Sequence, residues 1–175
     1  MKKGLALFLA AAFLPGCGSD EGDDETAAET TQPPANMAVF ESTRIGFTFE
    51  YPEELAVDRT PRPPVLARVA VNRRTRLNAI QVRQTARREL RPARYLDEFR
   101  RDLEGSVESV NTREERIGDL DMGVLEVKRA DLNSSSYFFT GAGRTWQLEC
   151  LSDDAHRAKI ADACRIALET IDFGD

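Results

Sequence analysis

Residues 135–150 read SSYFFTGAGRTWQLEC, and this segment carries a clear β-hairpin signal. The two glycines of Gly141-Ala142-Gly143 supply the backbone freedom that a tight turn requires. The flanking runs, Ser135–Thr140 and Arg144–Leu151, are therefore predicted to be antiparallel strands.

Further strands are predicted upstream of this hairpin. The run Gly46–Pro52 alternates aromatic and polar residues and ends at a proline. The run Val65–Asn72 places apolar residues at every second position, and a polar turn then leads into Ala79–Arg83. Two more strands are predicted between these runs and the hairpin, over Val107–Thr112 and Met122–Arg129.

Two helices are predicted, one inside the chain and one near its end. The first begins at Pro92, a residue that suits a first helical turn, and ends by Gly105. The second begins near Asp153 and Asp154, whose negative charges favour a helix N-terminus. Each helix has an apolar stripe that would pack on a sheet. The stripes are Tyr95, Leu96, Phe99 and Leu103 in the first helix and Ile160, Cys164, Leu168 and Ile171 in the second.

These elements predict an α+β domain in which helices pack on an antiparallel sheet of about six strands. The pattern resembles the PsbP-like α/β/α sandwich found in many small bacterial lipoproteins. The resemblance rests on the early strand ending in Tyr-Pro, the mid-chain helix, the late hairpin and a terminal helix ending in Ile-Asp-Phe, and it covers about residues 38–173. Such relatives are mostly accessory or binding proteins, so the resemblance implies a non-catalytic role.

The N-terminal residues indicate export. Lys2 and Lys3 precede an apolar run, Leu5–Leu14, that is too short to span a bilayer. The residues LPGC at 14–17 resemble the lipobox of bacterial lipoproteins, although Pro15 departs from the usual small residue. The resemblance implies that Cys17 receives a diacylglycerol and becomes the first residue of the mature protein. The alternative is an ordinary secretory signal with an accidental cysteine.

The residues after Cys17 are acidic and contain few apolar side chains, so they cannot offset the entropy of ordering. We therefore predict a lipoprotein signal peptide over residues 1–16, an acidic disordered tether over residues 17–37 and a PsbP-like globular domain over residues 38–175. This division predicts an extracytoplasmic protein that is held at the cell membrane by a lipid anchor.

Two further cysteines lie in the predicted domain. Cys150 shares its strand face with Trp146 and Leu148, and Cys164 lies on the apolar stripe of the last helix. Both should point into one sheet–helix interface, and disulfides persist in exported proteins. We predict a Cys150–Cys164 disulfide, provided that the two Cα atoms come within about 7 Å. The alternative is a pair of buried thiols that act as small apolar fillers.

An arginine cluster is the main candidate for binding. Between Arg59 and Arg94 the chain has eleven arginines and one acidic residue, Glu89. Clustered guanidinium groups bind carboxylates and phosphates bidentately. The alternative is a solvated face paired with acidic helix residues such as Asp97, Glu98, Asp102 and Glu104. The predicted surface for an anionic partner consists of Arg73, Arg74, Arg76, Arg87 and Arg88.

No catalytic constellation is evident in the sequence. The single histidine, His156, cannot build an all-histidine zinc site and is expected to be exposed, and no serine lies in a nucleophile elbow. The serines at 134–136 are expected to mark a turn, and Asp119 and Asp121 are expected to be solvated turn residues. We therefore expect no enzymatic activity, no metal and no cofactor.

The charge balance bears on the partner. The chain has a formal net charge of −6, but without the predicted signal and tether its basic and acidic residues nearly balance. Nothing therefore indicates a nucleic-acid binder. We expect a non-catalytic accessory or binding module of the cell envelope, with an envelope protein or an anionic polymer as its partner. The alternatives are a carrier of a small ligand or lipid between sheet and helix, and an enzyme.

Overall fold

The computed structural model describes residues 36–42, 46–103 and 105–174, so the predicted signal peptide, Cys17 and nearly all of the predicted tether lie outside the described residues. The elements in these ranges are β1 (Met37–Ser42), β2 (Phe47–Pro52), β3 (Ala56–Val57), β4 (Val65–Ala70), β5 (Ala79–Ala86), α1 (Pro92–Leu103), β6 (Ser109–Ile117), β7 (Leu120–Arg129), β8 (Leu132–Gly141), β9 (Arg144–Asp153) and α2 (Arg157–Thr170).

Seven strands form one antiparallel sheet in the order β3-β4-β5-β9-β8-β7-β6, and β1 and β2 form a separate antiparallel pair. The predicted α+β class is confirmed, with seven strands in the main sheet instead of about six. The predicted hairpin is the pair β8–β9, whose strands each run for ten residues. The sequence reading missed β1 and the two-residue β3, which has too few residues for any alternation to be visible.

Alternation along the strands assigns one face of the sheet to the main core. Trp146, Leu148 and Cys150 of β9 point to this face, where β2 and α2 cover them. Phe47 of β2 packs edge-on against Trp146, with ring centroids 5.5 Å apart. Phe173, just after α2, lies 5.5 Å from the Trp146 ring. The segment that follows α2 is thereby packed against the core.

Helix α1 covers part of the opposite face. The ring of Phe138 on β8 stacks with Tyr95 at 5.6 Å and Phe99 at 5.3 Å, and Leu96 joins the same cluster. Gly123 of β7 lies beneath the helix, where an added Cβ would be 3.0 Å from the Cβ of Pro92. The missing side chain lets α1 approach the sheet closely, so the predicted apolar stripe of this helix does contact the sheet.

The last helix begins later than its acidic start signal predicts. A short 3-10 turn, Asp154–His156, comes first, and α2 follows it. Asp153 Oδ1 accepts from the backbone N–H of His156 at 2.9 Å and lies 2.8 Å from His156 Nδ1. The Nδ2 group of Asn78 donates to Asp153 Oδ2 at 2.8 Å. These hydrogen bonds, the one from Asn78 foremost, hold the pKa of Asp153 below its ordinary value.

Three smaller sequence expectations need correction. The serines at 134–136 lie inside β8, so they mark no turn. His156 is half-buried through its contact with Asp153. The strand predicted over Val65–Asn72 ends at Ala70, and an irregularity between Val65 and Ala67 interrupts its alternation.

The disulfide between Cys150 and Cys164 is present, with the two Cα atoms 6.2 Å apart. From Cys150 the strand runs about 10 Å to Asp153 at ~3.3 Å per residue. From Arg157 the helix runs back about 10 Å to Cys164 at ~1.5 Å per residue. Because these lengths match, the returning helix places the second cysteine above the first.

Removing this disulfide should lower the free energy of unfolding by roughly 3 kcal/mol, because it restores the freedom of a loop of about 15 residues to the unfolded chain. The variant Cys150→Ala/Cys164→Ala and the wild-type protein should be compared by urea denaturation, each with and without reductant. Reductant should destabilise the wild type alone. Equal urea midpoints for the oxidised wild type and the variant would contradict the prediction.

The lowered pKa of Asp153 implies that its carboxylate stabilises the fold above the ordinary carboxyl pKa. This contribution should be lost as the pH falls through the lowered, folded-state pKa. Glycine tolerates the positive φ of 54° at position 78. Replacing Asn78 by glycine removes the hydrogen bond that is the main cause of the lowered pKa of Asp153.

In Asn78→Gly the pKa of Asp153, followed by carbon-13 carboxyl NMR, should rise toward its ordinary value. The matched control is Asn133→Ala, because Asn133 donates to the neighbouring Asp154 carboxylate at 2.8 Å and not to Asp153. Equal pKa values of Asp153 in Asn78→Gly and Asn133→Ala would contradict the assignment of the lowered pKa to the hydrogen bond from Asn78.

Candidate functional site: an arginine-lined cleft

The sheet face that carries α1 is only partly covered by it. The helix packs on β6, β7 and β8, and the β4–β5 end of the same face carries polar side chains. Strand register assigns these side chains to that face, since Arg68 pairs with Gln81 and Arg83 pairs with Gln147. Gln147 in turn pairs with Phe138, the residue beneath α1. One face therefore has an apolar half under the helix and a polar half beside it.

Two loops enclose this polar half and turn it into a cleft of about 530 Å³. One wall is the proline-rich segment 58–64 before β4, and the other is the segment 73–76 between β4 and β5. Prolines restrict the first wall, which suits an extended loop. The cleft is lined by six arginines, namely Arg62, Arg68, Arg73, Arg74, Arg76 and Arg83.

Arg68 forms the floor of the cleft and is almost fully buried, with a side-chain exposure of 7%. Its Nη1 group donates to the carbonyl of Arg73 at 3.3 Å and lies 3.6 Å from Asp58 Oδ2. The Nε and Nη2 groups of Arg68 have no hydrogen-bond partner among the described residues. Buried guanidinium groups are normally fully hydrogen-bonded, so the two donor groups of Arg68 without a partner are unusual.

Arg83 lies beside it on β5. Its Nη2 group donates to Glu149 Oε2 at 2.6 Å and to Gln81 Oε1 at 3.2 Å. Its buried Nε group has no partner within the described part of the chain. Glu149 thus neutralises this arginine but leaves one donor unused.

The floor also holds in place the second wall, residues 73–76, which we call the rim loop. The carbonyl groups of Arg73 and Arg76 accept hydrogen bonds from Arg68 and from Gln81 Nε2, the latter at 3.3 Å. Asn72 Oδ1 accepts from the backbone N–H of Arg74 at 2.9 Å. The rim loop is therefore anchored through its backbone, and its arginine side chains stay available.

Arg73, Arg74 and Arg76 are exposed and form no ion pair with any described residue. The alternative raised by the sequence, pairing with the acidic residues of α1, is not found for Asp97 or Asp102. The side chains of Glu98 and Glu104 lie outside the description. Asp58 is the acidic residue among those that line the cleft, so positive charge dominates there.

The five arginines predicted as one surface fall into two groups. Arg73, Arg74 and Arg76 line the cleft, whereas Arg87 and Arg88 follow β5 and do not line it. The backbone carbonyl of Arg88 accepts from Thr145 Oγ1 at 2.8 Å, which fixes the start of that segment on β9. Arg68 and Gln81 were missed by the sequence reading. The signal for Gln81 was the polar residues at alternate positions of β5, whereas Arg68 is a single polar residue within the otherwise apolar β4.

A second groove, of about 440 Å³, lies between α2 and strands β6 to β9. Its lining is mixed, with polar residues such as Glu126 and Ser135 beside Tyr137 and Ile160. Burial raises the pKa of Tyr137, and Arg113, on the neighbouring β6, pairs with Glu126 at 2.7 Å. No cluster of three metal-ligating side chains occurs in the described ranges, and no helix there is long and apolar enough to cross a bilayer.

No family model and no curated protein matches the chain. Among solved structures, it is similar to the solution structure of the cyanobacterial PsbP protein CyanoP from Synechocystis sp. PCC 6803. The TM-score is 0.53 at 12% identity, over 91% of this chain and 98% of that chain. The crystal structure of LpqN, a protein involved in cell envelope biogenesis of Mycobacterium tuberculosis, has a TM-score of 0.41 at 12% identity, over 83% and 88%. The likeness to CyanoP confirms the PsbP-like fold.

Proposed function

We propose that the protein is a non-catalytic accessory module of the cell envelope, anchored to the outer face of the cytoplasmic membrane through a lipid on Cys17. The module binds an anionic partner, an envelope protein or polymer, in its arginine-lined cleft. The observation that carries this proposal is the set of six arginines around one cleft, four of them without an ion pair in the described structure.

The anchoring part rests on the N-terminal residues. A charged start, a short apolar run and LPGC at 14–17 follow the lipoprotein pattern, and an acidic segment without basic residues separates Cys17 from β1. Like charges and two prolines favour an extended spacer. Such a spacer would let the cleft reach partners beyond the lipid headgroups.

The binding part rests on electrostatics. An excess of arginines in a concave surface raises the local potential and attracts anions. Arginine also offers a planar fork that matches carboxylate and phosphate oxygens. The PsbP-like fold fits this role, because the resemblance implies accessory and binding functions.

The structure favours this role over a carrier of lipid between sheet and helix. The space between the sheet and α2 is filled by Phe47, Phe49, Trp146 and Leu148, which are all almost fully buried. The disulfide also joins the two layers, and the groove at their edge has a mixed polar and apolar lining. A lipid chain would need an apolar cavity in that interface.

Replacing Cys17 by serine should abolish lipid attachment, because the hydroxyl group does not replace the thiol as the acylated group. In cells fed labelled palmitate, the wild-type protein should carry the label and partition into the detergent phase, whereas Cys17→Ser should remain unlabelled and unprocessed. The control Cys150→Ser/Cys164→Ser should still carry the label. Label retained in Cys17→Ser would refute the anchoring proposal.

Charge reversal in the cleft should weaken partner capture. The test compares crosslinked pull-downs from intact membranes for wild type, Arg73→Glu/Arg74→Glu and Arg87→Glu/Arg88→Glu. The two variants change the net charge equally, and both pairs are adjacent, exposed arginines. We expect at least a tenfold loss of captured partner for the first variant and little loss for the second. Equal capture by all three proteins would contradict the proposed role of the cleft.

A further inference from the structure

We propose that the cleft floor is a specific site for an organic phosphate, that is, a phosphate ester whose phosphate group lies against Arg68, Arg83 and the rim arginines. This inference rests on the proposed binding role of the cleft and names the chemistry of what binds there.

The floor has an incompletely compensated buried charge. Arg68 is buried, yet its contacts to the Arg73 carbonyl and to Asp58 are long, at 3.3 and 3.6 Å. Its Nε and Nη2 groups have no partner among described residues, and neither has Arg83 Nε. Leaving buried donors without acceptors is unfavourable, and for charged groups the penalty is larger. These three atoms have almost no accessible surface, so an anion in the cleft would accept their hydrogen bonds once the guanidinium groups turn toward it.

The arrangement of the guanidinium groups favours phosphate over carboxylate. The arginines that line the cleft come from separate segments: Arg68 and Arg83 from the sheet, Arg62 from the proline-rich segment, and Arg73 and Arg76 from the loop between β4 and β5. A carboxylate has two oxygens in one plane, which a single arginine fork satisfies. A phosphate group has oxygens in tetrahedral directions and higher charge. Cations that surround a cleft from several sides suit such a group.

The size and walls of the cleft favour an ester over the free ion. A volume of about 530 Å³ lies in the range of sites for small organic molecules, ~300–1,000 Å³. Pro61, Pro63 and Pro64, together with Val65 and Leu151, add carbon surface beside the arginines. Such a lining would contact the glycerol or sugar part of an ester while the arginines hold its phosphate.

The rim loop is positioned for this ligand before it arrives. Hydrogen bonds from Arg68 and Gln81 to the loop carbonyls hold the backbone of residues 73–76. Because the bond from Arg68 is long, an anion can draw this guanidinium toward the cleft at small cost. Loss of Arg68 should therefore weaken phosphate binding more than loss of a single rim arginine.

The test is isothermal titration of the full chain, purified in detergent, with sn-glycerol 3-phosphate. Succinate serves as the dicarboxylate comparison, and inorganic phosphate shows what the ester body adds. The variants are Arg68→Gln, Arg76→Gln and the matched control Arg87→Gln, which removes the same charge outside the cleft. We expect at least tenfold weaker binding of the ester for Arg68→Gln, about threefold for Arg76→Gln and no change for Arg87→Gln.

Folding of Arg68→Gln is checked by thermal unfolding, and Arg68→Lys is the second variant. It keeps the charge but lacks the planar fork, so it should also bind the ester at least fivefold more weakly than wild type. Vesicles of phosphatidylglycerol and of phosphatidylcholine show whether the bound phosphate belongs to a lipid headgroup or to a soluble ester. Binding that depends on Arg68 to phosphatidylglycerol vesicles indicates a lipid headgroup, and binding to the free ester indicates a soluble phosphate; either supports a phosphate site.

Succinate binding as tightly as the ester would overturn the phosphate assignment. An equal loss for Arg87→Gln would do the same, because it would show attraction to net charge alone. If neither ester, inorganic phosphate nor vesicle binds, the phosphate site is refuted, while partner capture that depends on Arg73 and Arg74 would still support the broader proposal.

Discussion

The two-residue alternation of β5 is the constraint on which both the core and the cleft depend. Ile80 and Val82 point into the core beneath α2, whereas Gln81 and Arg83 point to the opposite face. A shift of one residue in the pairing with β9 would place the arginine in the core and the apolar residues in the cleft. The same hydrogen-bond ladder that buries Leu148 and Trp146 on one face therefore also places the side chains of the cleft floor on the other.

Much of the fold could be predicted because its elements have regular patterns. The hairpin at residues 135–150 has glycines at its turn, and α1 has a complete apolar stripe between a proline and a glycine. β1 had no such signal. Met37 and Val39 are exposed, and the strand is stabilised mainly by its pairing with β2 and by Phe40, which stacks on Phe49 at 5.0 Å. Tertiary contact, which no local pattern records, orders that segment.

The cleft was predictable only in part, for a similar reason. Arg73, Arg74 and Arg76 stand out because three arginines crowd one turn. Arg68 is a single arginine inside a strand, and its importance appears only when β4 and β5 are paired and α1 is seen to stop short of them. Arg87 and Arg88 looked equivalent to the rim arginines because they are close to them in the sequence. Closeness in the sequence does not show that Arg87 and Arg88 follow β5 and lie outside the cleft.

The half of the sheet face that α1 leaves uncovered forms the polar floor of the cleft. A partly buried ion pair such as Arg83 with Glu149 seldom stabilises a fold more than well-packed apolar residues would. The other half of the same face shows the apolar solution, in which Phe138 and Leu125 pack beneath α1. A fold that needed only stability could have extended this packing over β4 and β5. Arg68 is buried with donors that have no partner among the described residues, so it stabilises the fold less than an apolar side chain would. This cost is consistent with the proposed binding role of the cleft.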